Sequence, residues 1–117
     1  MKITSVEAFP VALPLKKPFT IASGADSGTP FNLHGENLKE LELLVGIGLS
    51  PMEAIVSATR IAAETLGLGS LIGTLQPGKL ADLIVVEGDP LKDITVLQQK
   101  EKMVAVMKDG QFYKRTI

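Results

Sequence analysis

Ser50-Pro51-Met52-Glu53-Ala54-Ile55-Val56-Ser57-Ala58-Thr59-Arg60-Ile61-Ala62-Ala63-Glu64-Thr65-Leu66-Gly67 carries a helix start, a helix face and a helix stop in one run. Ser50 can accept from the backbone at the third helical residue, and Glu53 can reach back to the cap. Pro51 suits the first helical position, where an N–H would have no partner. Met52, Ile55, Val56, Thr59, Ala62, Ala63 and Leu66 recur at helical spacing and are read as the core-facing stripe. Gly67 ends the helix because it takes the left-handed conformation at low cost.

Working outward, the period changes. Downstream, Leu80–Val86 reads as a strand ending at Glu87-Gly88-Asp89-Pro90. Met103–Met107 is apolar on both faces, which predicts a strand covered on both sides. Asp109-Gly110 joins it to Gln111–Arg115, and Asp-Gly between two strands is a strong hairpin signal. Upstream, Leu38, Leu41, Leu44 and Val45 fall on one stripe of a helix over Glu36–Gly46. Ser23–Asn32 reads as a loop, and Phe19–Ala22 as a short strand. Residues 2 to 15 read as a strand in which Pro10 and Pro14 cannot donate to a ladder, hence an edge strand or a broken one. The expected fold is α+β: two adjacent helices packed on a small mixed or antiparallel β-sheet. Its strands would be Leu80–Val86, the Met103–Arg115 hairpin and part of residues 2 to 15.

Composition narrows the function. The chain has 117 residues, the usual size for one domain. Twelve basic and thirteen acidic residues, in no single-sign block, argue against a nucleic-acid or anionic-membrane surface. The absence of cysteine excludes disulfides, thiolate catalysis and cysteine-held zinc. No apolar run is long enough for a membrane span, and the start is not a signal-peptide pattern, so a cytoplasmic protein is expected.

Two segments resemble known families. Thr29-Pro30-Phe31-Asn32-Leu33-His34-Gly35-Glu36-Asn37 through Leu44, Gly48-Leu49-Ser50-Pro51-Met52-Glu53-Ala54-Ile55, and above all Ile72-Gly73-Thr74-Leu75-Gln76-Pro77-Gly78-Lys79-Leu80-Ala81-Asp82-Leu83-Ile84-Val85-Val86 resemble the end of an amidohydrolase. Gly88-Asp89-Pro90-Leu91 and Val106-Met107-Lys108-Asp109-Gly110 extend the likeness. The nearest branch is the imidazolonepropionase-like and Xaa-Pro-dipeptidase-like one. The resemblance implies a partial remnant of a TIM-barrel enzyme with its β-sandwich domain, from residue 24 to 117. Residues 1 to 23, from Met1-Lys2-Ile3-Thr4-Ser5-Val6 to Lys16-Lys17-Pro18-Phe19-Thr20-Ile21, resemble the start of an enolase-superfamily protein of the muconate-cycloisomerase and dipeptide-epimerase branch. The two likenesses meet near Ser23-Gly24, as in a chimera, though one folded unit is expected.

The amidohydrolase resemblance implies one catalytic residue. The family's last barrel strand ends in Gly-Thr-Asp, whose aspartate binds metal and activates water. Gly24-Ala25-Asp26-Ser27-Gly28 takes that place with Ala25 for threonine, so Asp26 is the candidate catalytic and metal-binding residue. The parent family uses zinc or another divalent metal, held by a His-x-His pair, a lysine or glutamate, and two later histidines. Here there is one histidine, His34. It could contact substrate or join Asp26 and Glu36 at a metal; alternatively, it simply precedes the helix. Lys79 and Asp82 are read as turn and strand-leading residues, and Lys16-Lys17 as solvated. No cofactor is expected in this chain by itself. Three functions remain open: a hydrolase-derived chain inactive alone, a subunit completing a metal site with another chain, or a non-enzymatic module, with a homo-oligomer expected.

Overall fold

A computed structural model describes residues 20–28, 30–31 and 33–117. The expected strand over residues 2 to 15, its place in the sheet, and Lys16-Lys17 lie outside the described residues. Thr20–Ala22, the described part of the second expected strand, is not in a strand.

Helix α1 is Lys39–Gly46. It starts later than the expected Glu36, because residues 36 to 41 are joined by three-residue turns: Lys39 N–H donates to Glu36 O, and Glu40 N–H to Asn37 O. Its apolar stripe faces inward as read, with Leu41 and Leu44 buried and Leu38 and Val45 packed against them. Helix α2, Pro51–Val56, carries the full capping box: the Ser50 side chain accepts from Glu53 N–H, and Glu53 accepts from Ser50 N–H at 2.8 Å. The helical path then widens to a π turn over Ser57–Ile61 and closes with α3, Ala62–Thr65. Gly67, at φ 73°, ends it: Leu68 N–H donates to Ala63 O and Gly67 N–H to Glu64 O. That pair is the Schellman pattern, and it satisfies carbonyls the helix end leaves open.

The face of this second helical arm differs from the expected stripe. Ala54, Ser57 and Ala63 are buried, whereas Met52 is 51% and Leu66 71% exposed. Small side chains are the ones that allow close approach of α1 and of the loop at Gly73. Of the larger residues on the expected stripe, Ile55 packs against the core and Met52 and Leu66 stay exposed.

The sheet has three antiparallel strands in the order β1 (Leu83–Val86), β2 (Met103–Lys108), β3 (Gln111–Arg115). Pairing runs Leu83 to Met107 and Lys108 to Gln111, with a bulge at Val106/Met107. Asp109 and Gly110 both have positive φ, 50° and 76°, as a two-residue turn matched to strand twist requires. Strand β1 is shorter than expected, since Leu80–Asp82 serve a turn: Asp82 N–H donates to Leu80 O. Strand β2 is covered less than its composition predicts; only Ala105 is buried.

The core corrects the expected layering. Leu41, Leu44 and Ala54 pack with Ile94 and Leu97, which lie on a 3-10 turn over Ile94–Gln98. The helices therefore rest chiefly on this turn, with Val86 of β1 at the edge of the cluster. Between the second helical arm and the sheet runs an open apolar cleft of about 710 Å³, lined by Ala58, Ala62 and Leu66 on one side and Leu83, Ile84 and Met107 on the other. The loop Ile72–Leu75 forms one of its walls.

Candidate active site

The chain leading to Asp26 is fixed at three backbone atoms. The Ser57 hydroxyl donates to Ile21 O at 2.7 Å. The Ser23 N–H donates to Ser57 O at 3.2 Å. The Gly24 N–H donates to a Glu40 carboxylate oxygen at 2.8 Å. Ser57 is 1% exposed and opens the π turn, where its carbonyl also accepts the N–H of Ala62, five residues on. A carbonyl has two lone pairs, so one oxygen serves both donors. Thr59 Oγ1 donates to Ile55 O at 2.7 Å in the turn where the helical period changes. Single π turns of this kind recur at functional positions in helices.

Beyond Gly24 the backbone turns repeatedly. Asp26 has φ 49° and is exposed; Gly28, Phe31 and Gly35 are also at positive φ. The His34 ring lies over Gly28: a Cβ built there would sit 3.1 Å from His34 Nε2. His34 thus packs on Gly28, two residues beyond Asp26 in the loop. A turn from Leu33 O to Glu36 N–H follows it, and Leu38 at the start of α1 makes no side-chain cap. Glu36 faces Lys100 Nζ at 3.6 Å, an exposed pair. A second cleft, about 480 Å³, opens between Gly24, Ala25, Phe31 and the first turn of α1.

A catalytic zinc ordinarily takes three protein ligands. Among the described residues no three His, Cys, Asp or Glu side chains lie close enough to hold one ion, so Asp26, His34 and Glu36 do not assemble that donor set. Among the described residues, no helix is long and apolar enough to cross a membrane.

Lys79 and Asp82 take structural places. Lys79 Nζ donates to Gly69 O at 2.7 Å, tying the loop before β1, and Asp82 accepts the Asp109 N–H at 2.7 Å, bracing the hairpin. Ser57 and Glu40 were not singled out from the sequence. Their signal was available only as a serine off the apolar stripe and an acid in the first turn of α1; the partners are distant in sequence.

The comparisons with known proteins agree on the chain's relatives. The amidohydrolase family matches residues 5–113. Ochratoxinase of Aspergillus niger is 36% identical over 102 residues, 86% of this chain and 20% of that protein. Imidazolonepropionase of Solibacter usitatus is 39% identical over 69 residues, 58% of this chain and 16% of that protein. Among solved structures, a Xaa-Pro dipeptidase with bound methionine in its active site has a TM-score of 0.64 and 43% identity, over 69% of this chain and 19% of that one. The chain spans about a fifth of the length of the curated ochratoxinase it matches. The family match reaches back to residue 5, into the segment that resembles an enolase-superfamily start, and that second resemblance finds no support.

Proposed function

The chain belongs to the amidohydrolase family, and from that membership we propose that its 117 residues are the aspartate-bearing part of a metal-dependent hydrolase of C–N bonds in peptides or cyclic amides. The relatives named ochratoxinase, imidazolonepropionase and Xaa-Pro dipeptidase support that substrate class. Asp26 is the carboxylate that faces the reaction, and His34, beside Gly28, is the neighbouring group for substrate contact. One observation carries the rest of the reading: a family match over residues 5–113 goes together with a single histidine and no cysteine. The remaining ligands then come from residues outside this sequence, whether on the same polypeptide or on another chain. By itself the chain turns over nothing.

The test is hydrolysis of dipeptides and cyclic amides by the purified chain, with zinc, manganese or chelator. No turnover is expected under any condition. Activity that vanishes on Asp26→Ala would overturn the reading, because it would show a complete site within these residues.

The open apolar cleft beside the second helical arm favours a second reading, a non-enzymatic module that self-associates. Leu66 and Leu75 stand 71% and 76% exposed on its rim. Exposed apolar side chains gathered around one cleft are surface that association can cover. Light scattering is expected to report a dimer at high micromolar concentration, and a monomer there removes this reading.

A further inference from the structure

Two residues outside the expected site converge on the segment that carries Asp26. Ser57 holds Ile21 and Ser23 through its hydroxyl and its carbonyl, and Glu40 holds Gly24. They come from different helical arms, the π turn after α2 and the first turn of α1, so the segment is gripped from two directions. We infer that Ser57 and Glu40 are positioning residues, whose hydrogen bonds fix the backbone at residues 21 to 24 and thereby the aim of the Asp26 carboxylate. The inference rests on the reading of Asp26 as the reacting group.

Two features separate this from ordinary helix-to-loop packing. First, the anchored atoms are main-chain atoms of residues 21, 23 and 24, ending two residues before Asp26, an exposed non-glycine residue at φ 49°. Left-handed backbone costs a non-glycine residue free energy, less for aspartate than for most, and anchoring the residues before it helps to hold that turn. Second, Ser57 is the one buried polar residue among the described residues, and both its polar atoms on this side are used on that segment. The hydroxyl bond to Ile21 O is what the serine side chain adds: alanine would fill the space and keep the carbonyl's bond to Ser23 N–H, but would leave Ile21 O without that donor. Glu40 adds a charged acceptor to a backbone N–H, a stronger bond than a neutral one.

The experiment is NMR of the isotope-labelled full chain, comparing Glu40→Ala, Glu40→Gln and Ser57→Ala with wild type. Glu40→Ala is expected to speed amide exchange at Gly24 about tenfold, the scale of one lost hydrogen bond. It should also move the Asp26 amide and carboxyl resonances, while amides of β1, β2 and β3 stay in place. Glu40→Gln should restore both in part, because its neutral amide oxygen accepts the same N–H more weakly. Ser57→Ala should move residues 21 to 26 and again spare the sheet. Should Ser57→Ala fail to fold, the Glu40 pair decides. Asp26 resonances identical to wild type in the alanine variants overturn the inference, as does a glutamine variant no better than alanine. None of these readouts needs turnover, so they fail or succeed independently of the hydrolysis assay.

Discussion

At Gly73 a single added methyl group meets three obstacles. The residue has φ 92°, and a Cβ built on it would lie 2.6 Å from the Ala63 Cβ, 3.0 Å from Thr59 O and 3.1 Å from the Arg60 Cα. Two of those neighbours are helix backbone and cannot swing aside, so loop and helix must separate. Left-handed backbone costs a non-glycine residue roughly 1–2 kcal/mol, and forced overpacking typically adds about 1–3 kcal/mol. Reduced freedom of the unfolded chain returns roughly 0.4–1 kcal/mol. Gly73→Ala is therefore expected to destabilise by about 2–4 kcal/mol, a fall in Tm of roughly 8–15 °C for a domain of this size. Gly78 supplies the control. Its φ is 89°, yet nothing lies within 4 Å of the Cβ position. Gly78→Ala bears the strain without the clash, with a fall of roughly 1–6 °C. Thermal melts of both variants by circular dichroism make the comparison. If Gly73→Ala melts within about 2 °C of Gly78→Ala, the close seat of the 72–74 loop on the helix is wrong.

Removing the Ser50 cap by Ser50→Ala should cost about 1 kcal/mol and lower Tm by roughly 3–6 °C, read in the same melt. Lys39 and Gln98 hold the Glu42 carboxyl below its ordinary range, Ser50 does so for Glu53, and Thr95 for Asp93. Each contribution is complete above the ordinary carboxylate pKa and is lost as pH falls through the lowered value, so Tm should drop on acidification below about pH 4.5; a flat profile from pH 6 to 3 would contradict it. Zinc or manganese at millimolar concentration should leave the wild-type melt over that of Asp26→Ala, since a single millimolar carboxylate site yields only ~0.4 kcal/mol. A metal-dependent rise above ~8 °C that Asp26→Ala abolishes would show a pre-formed site.

The features legible in the sequence are those closed within a few residues. Ser50 and Glu53 bond each other's backbone whatever lies elsewhere, Gly67 takes the left-handed conformation that ends the helix, and Asp109-Gly110 makes the hairpin turn. The amidohydrolase likeness was legible for a related reason, in short contiguous runs such as Ile72–Val86. Tertiary structure decided the rest. Which face of the second helical arm is buried depended on α1 and the 72–74 loop, which admit Ala54, Ser57 and Ala63 and leave Met52 and Leu66 outside. No element is read from the sequence over residues 92 to 102, yet Ile94, Val96 and Leu97 are buried, because a single short 3-10 turn holds too few residues to repeat a pattern. The hold on the Asp26 segment comes from Ser57 and Glu40, far away in sequence, and hydrogen bonds between such partners exist only after the chain has brought them together.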